Sequence, residues 1–128
     1  MGKVSLRTAL VKSLNLPTIG LCEELKPKLV IAYSRRFGIT AEMMENLTTC
    51  LGSLSVTLQE MISAYGVFAN QGRLVKPIYI LRVEDQDGNI LESSVSELKQ
   101  VTSEETAFLV SNVLQDRSEE HTSELQSQ

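Results

Sequence analysis

The chain has 128 residues, of which 42% are apolar and 5% aromatic, and its 12 Lys and Arg against 16 Asp and Glu give a formal net charge of −4. This length suits one hydrophobic core at most, and the ordinary apolar fraction excludes wholesale disorder. The acidic balance argues against a nucleic-acid-binding surface, and no apolar run is long enough to cross a bilayer. We therefore expect a single unit that contacts neither nucleic acid nor membrane and carries no secretory signal of its own.

Apolar spacing predicts two helices in the first third of the chain. The first covers residues 4–16 and should end where Pro17 disfavours helical backbone in the residue before it. The second covers residues 27–37, with a proline in its first turn and Gly38 as the expected stop. Residues 39–56 have weak periodicity, so we predict an irregular connection with one helical turn.

A third helix has the clearest signal. Thr57 and Glu60 have the spacing of a capping box, in which each side chain accepts a hydrogen bond from the backbone of the other. Residues 70–72, Asn-Gln-Gly, should close the helix. The helical spacing predicts one core-facing stripe, made of Leu58, Met61, Ile62, Tyr65, Phe68 and Ala69.

The second half of the chain changes to β-branched and aromatic residues. This composition predicts a β-hairpin. Its first strand covers residues 78–83, its polar turn covers 85–89, and its second strand begins with Ile90 and Leu91. Thr102 and Glu105 predict a second capping box, which opens a last helix with one apolar side: Ala107, Val110, Val113 and Leu114. The order helix, helix, helix, hairpin, helix indicates an α+β fold without βαβ alternation.

The composition changes again at the end of the chain. Residues 117–128 contain one strongly apolar residue, Leu125, and the string from Arg117 to Ser127 resembles, residue for residue, the translation of a common sequencing-library adapter. We therefore divide the chain into a natural part, 1–116, and a non-native tail, 117–128; an ordinary acidic tail is the alternative. Without the tail's one basic and three acidic residues, 11 bases and 13 acids remain, a net charge of −2.

Metal and cofactor sites have little support in the sequence. Cys22 and Cys50 are too few for a disulfide framework and lack the paired spacing of a metal site, so we expect two small, half-buried residues. His121, the only histidine, lies in the discounted tail. No metal and no cofactor are predicted.

One triplet, Ser13-Leu14-Asn15, gains meaning from its surroundings. By itself a Ser-x-Asn triplet says little, because Ser and Asn are common at helix ends. The run 4–18, however, resembles the segment around the second active-site motif of class A, bifunctional penicillin-binding proteins. Further blocks of sequence are similar to this family and occur in the same order and at the same spacing, so the resemblance covers about residues 2–116. These blocks are residues 35–39, 51–53, 56–61, 64–73, 80–91 and 109–116.

The resemblance implies a D,D-transpeptidase domain, which cross-links the stem peptides of peptidoglycan and is acylated by β-lactams. Its fold is that of the serine β-lactamases, represented here mostly by the helical part plus a β-hairpin. Three motifs meet in the family's cleft: Ser-x-x-Lys, Ser-x-Asn and Lys-Thr-Gly. The roles implied for the second motif are proton relay to the leaving amine for Ser13, and binding of the substrate peptide and a neighbouring Lys for Asn15. Leu14 should only pack.

The chain departs from the family pattern in two motifs. The nucleophile motif has no room before Ser13, and Lys-Thr-Gly is absent. A Ser-x-x-Lys at Ser96–Lys99 follows the Ser-x-Asn and lies in a polar stretch without an apolar pocket, so we interpret it as a chance match. We therefore expect a central fragment of the transpeptidase domain, inactive by itself. Its parent would be membrane-anchored, with this domain facing the periplasm or the cell exterior.

Two other classes of protein stay open. The first is another serine acyl enzyme of the same fold, such as a serine β-lactamase or a monofunctional transpeptidase, and a glycosyltransferase domain upstream would separate these from the bifunctional family. The second is a non-catalytic cell-wall binding module. Cooperative unfolding of residues 1–116 alone would favour that module.

Overall fold

The computed structural model describes residues 2–126 and combines helices with short antiparallel strands. The strands form two separate two-stranded sheets, β1 with β4 and β2 with β3. This is the predicted α+β arrangement. The elements in chain order are α1 (Leu6–Val11), α2 (Asn15–Leu25), α3 (Pro27–Arg36), a 3₁₀ turn (Thr49–Leu51), α4 (Leu58–Ala69), β1 (Arg73–Val75), β2 (Arg82–Glu84), β3 (Ile90–Ser93), β4 (Leu98–Gln100) and α5 (Glu104–Gln126).

The first predicted helix is two helices, and this part of the prediction was wrong. Helix α1 ends at Val11, the chain turns at Ser13, whose φ is 53°, and α2 begins at Asn15. Pro17 lies in the first turn of α2. A proline is tolerated there because the N–H groups of a first turn have no partner within the helix. The residue expected to end a helix therefore stands near the beginning of one.

Helix α3 confirms its prediction, with Pro27 at its first position. Gly38 follows the helix with a φ of +86°, in the left-handed region where a glycine has no Cβ penalty. The irregular connection after it is also confirmed, and its single helical turn is the 3₁₀ turn at Thr49–Leu51.

The two cysteines are joined, which the sequence interpretation did not anticipate. Cys22 on α2 and Cys50 in the 3₁₀ turn form a disulfide across a sequence separation of 28 residues, with their Cα atoms 6.3 Å apart. The expectation of two small, half-buried residues holds for Cys50 but not for Cys22, which is buried. The bond between them was not expected, because the count and spacing of cysteines carry no information on which helices pack together.

The predicted capping box of α4 is present. The Glu60 N–H donates to Thr57 Oγ1 at 3.1 Å, and the Thr57 N–H donates to Glu60 Oε2 at 3.4 Å. The hydroxyl and the backbone N–H of Thr40 both donate to Glu60 Oε1. The Thr40 hydroxyl, followed by the backbone N–H groups of Thr40 and Thr57, lowers the pKa of Glu60 below its ordinary value. One carboxylate thus joins the start of α4 to the chain that leaves α3.

The apolar stripe of α4 is mostly at the surface, contrary to the prediction. Leu58, Ile62 and Tyr65 are 76%, 63% and 55% exposed. Helix α4 instead buries its smaller residues Ala64 and Val67. Small side chains let helices and strands approach closely, so the buried core is made of small residues: Ala9, Val11, Cys22, Ala64, Val67, Val101 and Ala107.

The predicted hairpin is confirmed, although its first strand begins at Arg82 and not at residue 78. Strand β2 pairs antiparallel with β3, and Val83 lies opposite Glu92. At the tip, Asp85 Oδ1 accepts from the backbone N–H of Asp87 at 2.9 Å and of Asn89 at 2.8 Å. This local network explains why the turn could be predicted from the sequence.

The sheet of β1 and β4 was missed. Leu74 lies opposite Lys99, and each strand has three residues. Such short segments have too few residues to show an alternating pattern, and their pairing joins parts of the chain that are distant in sequence. The polar segment between the hairpin and the last helix therefore contains a strand, β4.

Helix α5 begins one residue later than predicted. Its cap is Ser103, whose Oγ accepts from the Thr106 N–H at 3.1 Å. The Thr102 N–H donates to Gly72 O at 3.2 Å, so the backbone at Thr102 still continues the pairing of β4 with β1, and the helix begins beyond it. The helix then continues beyond Asp116 through the adapter-like residues to Gln126.

Candidate functional site

The Ser-x-Asn triplet forms the turn between α1 and α2. The Leu14 N–H donates to Ala9 O at 2.9 Å, and the Ser13 N–H donates to Leu10 O at 3.2 Å. This pair of bonds ends a helix with a residue in the left-handed region, a position that glycine usually fills. For a serine that backbone conformation costs about 1 kcal/mol. The hydroxyl of Ser13 therefore stands where a glycine would be more stable. Lys26 and Gln71 also have positive φ values, 74° and 55°, so the conformation gains its functional meaning from the motif.

The side chains of the triplet alternate in exposure. Ser13 and Asn15 are exposed, and Leu14 between them is half-buried. Leu14 is also the N-cap of α2 and makes no side-chain capping bond, while its carbonyl accepts from Thr18 Oγ1 at 3.0 Å. Within residues 2–126 no side-chain hydrogen bond engages Ser13 or Asn15. Both polar side chains are thus exposed to solvent at the turn.

Helix α5 holds the turn in place through α1. The guanidinium of Arg7 donates to Asn112 Oδ1 at 2.7 Å and forms an ion pair with Asp116. Beneath these contacts Ala9 on α1 and Ala107 on α5 are buried. The sequence interpretation missed these positioning residues, because nothing local marks a pair that is more than 100 residues apart.

The Ser-x-x-Lys at Ser96–Lys99 does not have the geometry of a nucleophile and its base. Ser96 precedes β4, and Lys99 is the central residue of that strand. Residues three apart face the same side of a helix but opposite sides of an extended chain. Lys99 does line a cavity of about 600 Å³ beside Leu74 and Leu98, so the prediction of no pocket was wrong for the lysine. Ser96 does not line that cavity, and the pair cannot exchange a proton there.

Two further properties concern only the part of the chain that the structure describes. Residues 2–126 contain no group of three or more His, Cys, Asp or Glu side chains placed to hold a metal ion. No helix among these residues is long and apolar enough to cross a membrane.

Comparison with known proteins identifies the family. The model of the penicillin-binding protein transpeptidase domain matches residues 1–128. The chain belongs to the penicillin-binding protein transpeptidase family. The resemblance inferred from its motifs is thereby confirmed, and the Ser13 turn lies in a transpeptidase-type domain.

Two curated relatives, both named penicillin-binding protein 1A, show how much of the chain is matched and at what sequence identity. The protein of Pseudomonas aeruginosa is 38% identical over 92 residues, which are 71% of this chain and 11% of the relative. The protein of Clostridium tetani is 33% identical over 124 residues, which are 88% of this chain and 16% of the relative. The chain therefore spans a small part of the length of these penicillin-binding proteins.

The fold agrees with the same family. The crystal structure of PBPA from Mycobacterium tuberculosis superposes with a TM-score of 0.84 and 18% sequence identity, covering 91% of this chain and 32% of that one. The predicted fold, a fragment of the penicillin-binding protein transpeptidase type, is confirmed.

Proposed function

We propose that this chain is the central part of a D,D-transpeptidase domain that cross-links peptidoglycan stem peptides and is acylated by β-lactams. The observation that carries the proposal is the Ser13 turn, in which an exposed serine occupies a left-handed position in a chain of this family. A hydroxyl kept at a conformational cost is best explained by its chemistry.

The proposed role of Ser13 is proton relay. When a nucleophilic serine of the complete domain attacks the substrate carbonyl, the C–N bond breaks and the departing nitrogen needs a proton. A hydroxyl both donates and accepts, so Ser13 can give its proton to that nitrogen and take another from a neighbouring ammonium group. The hydroxyl of Ser13 lies exposed at a helix end and makes no side-chain hydrogen bond within residues 2–126, which suits this exchange.

Asn15 is proposed to hold the substrate. Its amide has one carbonyl acceptor and two N–H donors, so it can bind a peptide group and a neighbouring lysine together. Asn15 opens α2, and only Leu14 lies between it and the residue that carries the relay hydroxyl. Leu14 anchors the turn by packing and is given no chemical role.

The chain alone is expected to be inactive, because the nucleophile and the Lys-Thr-Gly strand of the family are not in its sequence. When the 128-residue chain is incubated with a fluorescent penicillin and denatured, we expect no stoichiometric covalent label. A label that survives denaturation would contradict this expectation, and peptide mapping of it to Ser96 would make the Ser-x-x-Lys at Ser96–Lys99 the nucleophile motif.

A positive control can be built from a relative. In the grafted domain, residues 2–116 of this chain replace the matching segment of Pseudomonas aeruginosa penicillin-binding protein 1A. We expect the grafted domain to take up one penicillin per molecule, because the missing motifs come from the host. A grafted domain that unfolds cooperatively but takes up no label would count against the proposed function.

We also infer that the complete protein is anchored in the cytoplasmic membrane with this domain on the outer side, where stem peptides are found. A disulfide between Cys22 and Cys50 supports the outer location, since disulfides persist in oxidising compartments. The net charge of −4 supports the expectation that nucleic acid is not a partner.

Residues 117–128 are proposed to be a translated sequencing adapter and no part of the natural domain. Their composition supports this, although the family match extends through them and Arg117 donates to Leu10 O at 2.7 Å. The nucleotide sequence behind the tail decides the matter, and we expect it to spell the adapter. Codons that encode the same residues with another nucleotide sequence would restore the tail to the protein.

A further inference from the structure

The two small sheets are the two ends of one antiparallel ribbon, residues 73–100. The chain runs out along β1 and β2, turns at the hairpin tip and returns along β3 and β4. Two backbone hydrogen bonds mark where the pairing of each sheet stops: the Lys76 N–H donates to Glu97 O at 3.2 Å, and the Ser94 N–H donates to Leu81 O at 2.9 Å. Between these two bonds the ribbon is open.

The opening leaves backbone groups without partners. Residues 77–80 on the outgoing side lie across from residues 95–96 on the returning side, and within residues 2–126 none of their backbone N–H or C=O groups has a hydrogen bond. A cavity of about 450 Å³ lies in the opening, with residues of both sides in its lining. Because backbone groups are strong donors and acceptors, this part of the ribbon is a template to which another strand can bond.

The outer edge of the outgoing side is also uncovered. It borders an open groove of about 920 Å³, which residues 79–82 and Glu84 line. The carbonyl of Leu81 points inward, to Ser94, and the backbone groups of successive residues in an extended chain alternate between its two sides. The N–H and C=O groups of Ile80 therefore face the outer edge.

The side chains along this edge are apolar and exposed. Tyr79, Ile80 and Leu81 are 77%, 62% and 73% exposed. Natural edge strands are usually protected from added strands by proline or by charged residues. Here Pro77 and Arg82 lie at the two ends, and the residues between them are all apolar or aromatic. We call this unprotected segment, residues 78–81, the open edge.

The charges beside the open edge are already paired. Lys76 forms an ion pair with Glu97 at 3.8 Å, and Arg82 forms one with Glu84. An uncharged occupant therefore fits this surface best. Lipid hydrocarbon would cover the apolar side chains but offers no partner for the backbone groups, which makes their burial in it costly. An extended polypeptide satisfies both the side chains and the backbone.

We propose that the open edge, residues 78–81, is a docking site for an extended, uncharged segment of a partner protein, which adds a strand to the ribbon. Backbone hydrogen bonds supply the affinity in this mode of recognition, and contacts with the exposed side chains favour β-branched and aromatic residues in the partner. The inference goes beyond the proposed function and depends on neither Ser13 nor Asn15.

The test uses the grafted domain and a short fluorescent peptide of alternating Thr and Val. We expect saturable binding in a fluorescence anisotropy titration. The same peptide with every amide N-methylated has no N–H to donate, so it should bind about tenfold more weakly. The proposal is wrong if the first peptide does not bind, or if the two peptides bind equally.

A matched pair of variants locates the binding on the ribbon. Ile80→Lys places a charge on the open edge, and Leu91→Lys places the same charge on β3, outside it. The two side chains are 62% and 67% exposed, so neither change should unfold the domain. We expect about tenfold weaker peptide binding for Ile80→Lys and a change within about threefold for Leu91→Lys. Equal losses would overturn the proposal.

A membrane is tested as the other occupant. The grafted domain is mixed with vesicles of phosphatidylethanolamine and phosphatidylglycerol, and we expect no adsorption that depends on Ile80. Adsorption that Ile80→Lys abolishes would replace the partner protein with a lipid surface. Penicillin uptake by both variants should equal that of the parent grafted domain, so it reports on the proposed function separately from the docking site.

Discussion

Replacing Ser13 with Ala in the grafted domain is expected to lower the second-order rate of acylation by a fluorescent penicillin about 100- to 10,000-fold, the usual contribution of a positioned proton donor. The departing β-lactam nitrogen then has no hydroxyl from which to take a proton. Stopped-flow or gel-based labelling over time measures the rate. A rate within about threefold of the parent would remove Ser13 from the proposed mechanism.

A second substitution at the same position separates chemistry from folding. Ser13→Gly also removes the hydroxyl, so its acylation rate should fall as far. Because glycine adopts a φ of 53° without steric penalty, this variant should be more stable than Ser13→Ala by about 1 kcal/mol in urea unfolding. Ser5→Ala is the matched control. It removes the N-cap of α1, where Ser5 Oγ accepts from the Thr8 N–H, and should lower stability by about 1 kcal/mol without changing the acylation rate.

Replacing Gly72 with Ala should have the largest effect on stability, a loss of about 3 kcal/mol in the free energy of unfolding of the grafted domain. Gly72 is buried, has a φ of +82°, and accepts at its carbonyl from the N–H groups of Val101 and Thr102. A Cβ at this position would overlap the Thr102 carbonyl oxygen and lie 2.8 Å from Gln100 Nε2. The junction between α4, β1 and β4 would have to open.

Gly52→Ala is the control for backbone strain alone. Gly52 has a φ of +84°, but a Cβ there would meet nothing within 4 Å. We expect a loss of about 1 kcal/mol, which is the ordinary penalty of the left-handed region. Urea unfolding of the two variants gives the comparison. Equal losses at Gly52 and Gly72 would show that close packing against Thr102 contributes nothing.

The features that the sequence predicts correctly are those whose causes are local. The capping box of α4 needs only two side chains three residues apart, and Pro27 sets the start of α3. The hairpin turn is fixed by the carboxylate of Asp85, which accepts hydrogen bonds from residues two and four positions later. In each case the residues that determine the structure are neighbours in the sequence.

The structural features that the sequence did not predict have causes outside the local sequence. Whether Pro17 ends a helix or begins one depends on the turn at Ser13, which spacing does not reveal. The Thr102 N–H donates to the carbonyl of Gly72, about thirty residues earlier in the sequence, so the chain is still held beside β1 there and the cap is Ser103. The disulfide and the contacts of Arg7 depend likewise on tertiary packing. The residues of the candidate site were predicted from the family resemblance. The left-handed backbone conformation of Ser13 was seen only in the structure.

The bond between Cys22 and Cys50 changes the topology of the chain as well as its packing. It converts the backbone from α2 to the 3₁₀ turn into a closed ring that contains the whole of α3. A protease that cuts inside this ring leaves one covalent molecule, because both cut ends remain tethered through sulfur. Helix α3 and its apolar side chains would thus stay attached to the rest of the domain after such a cut.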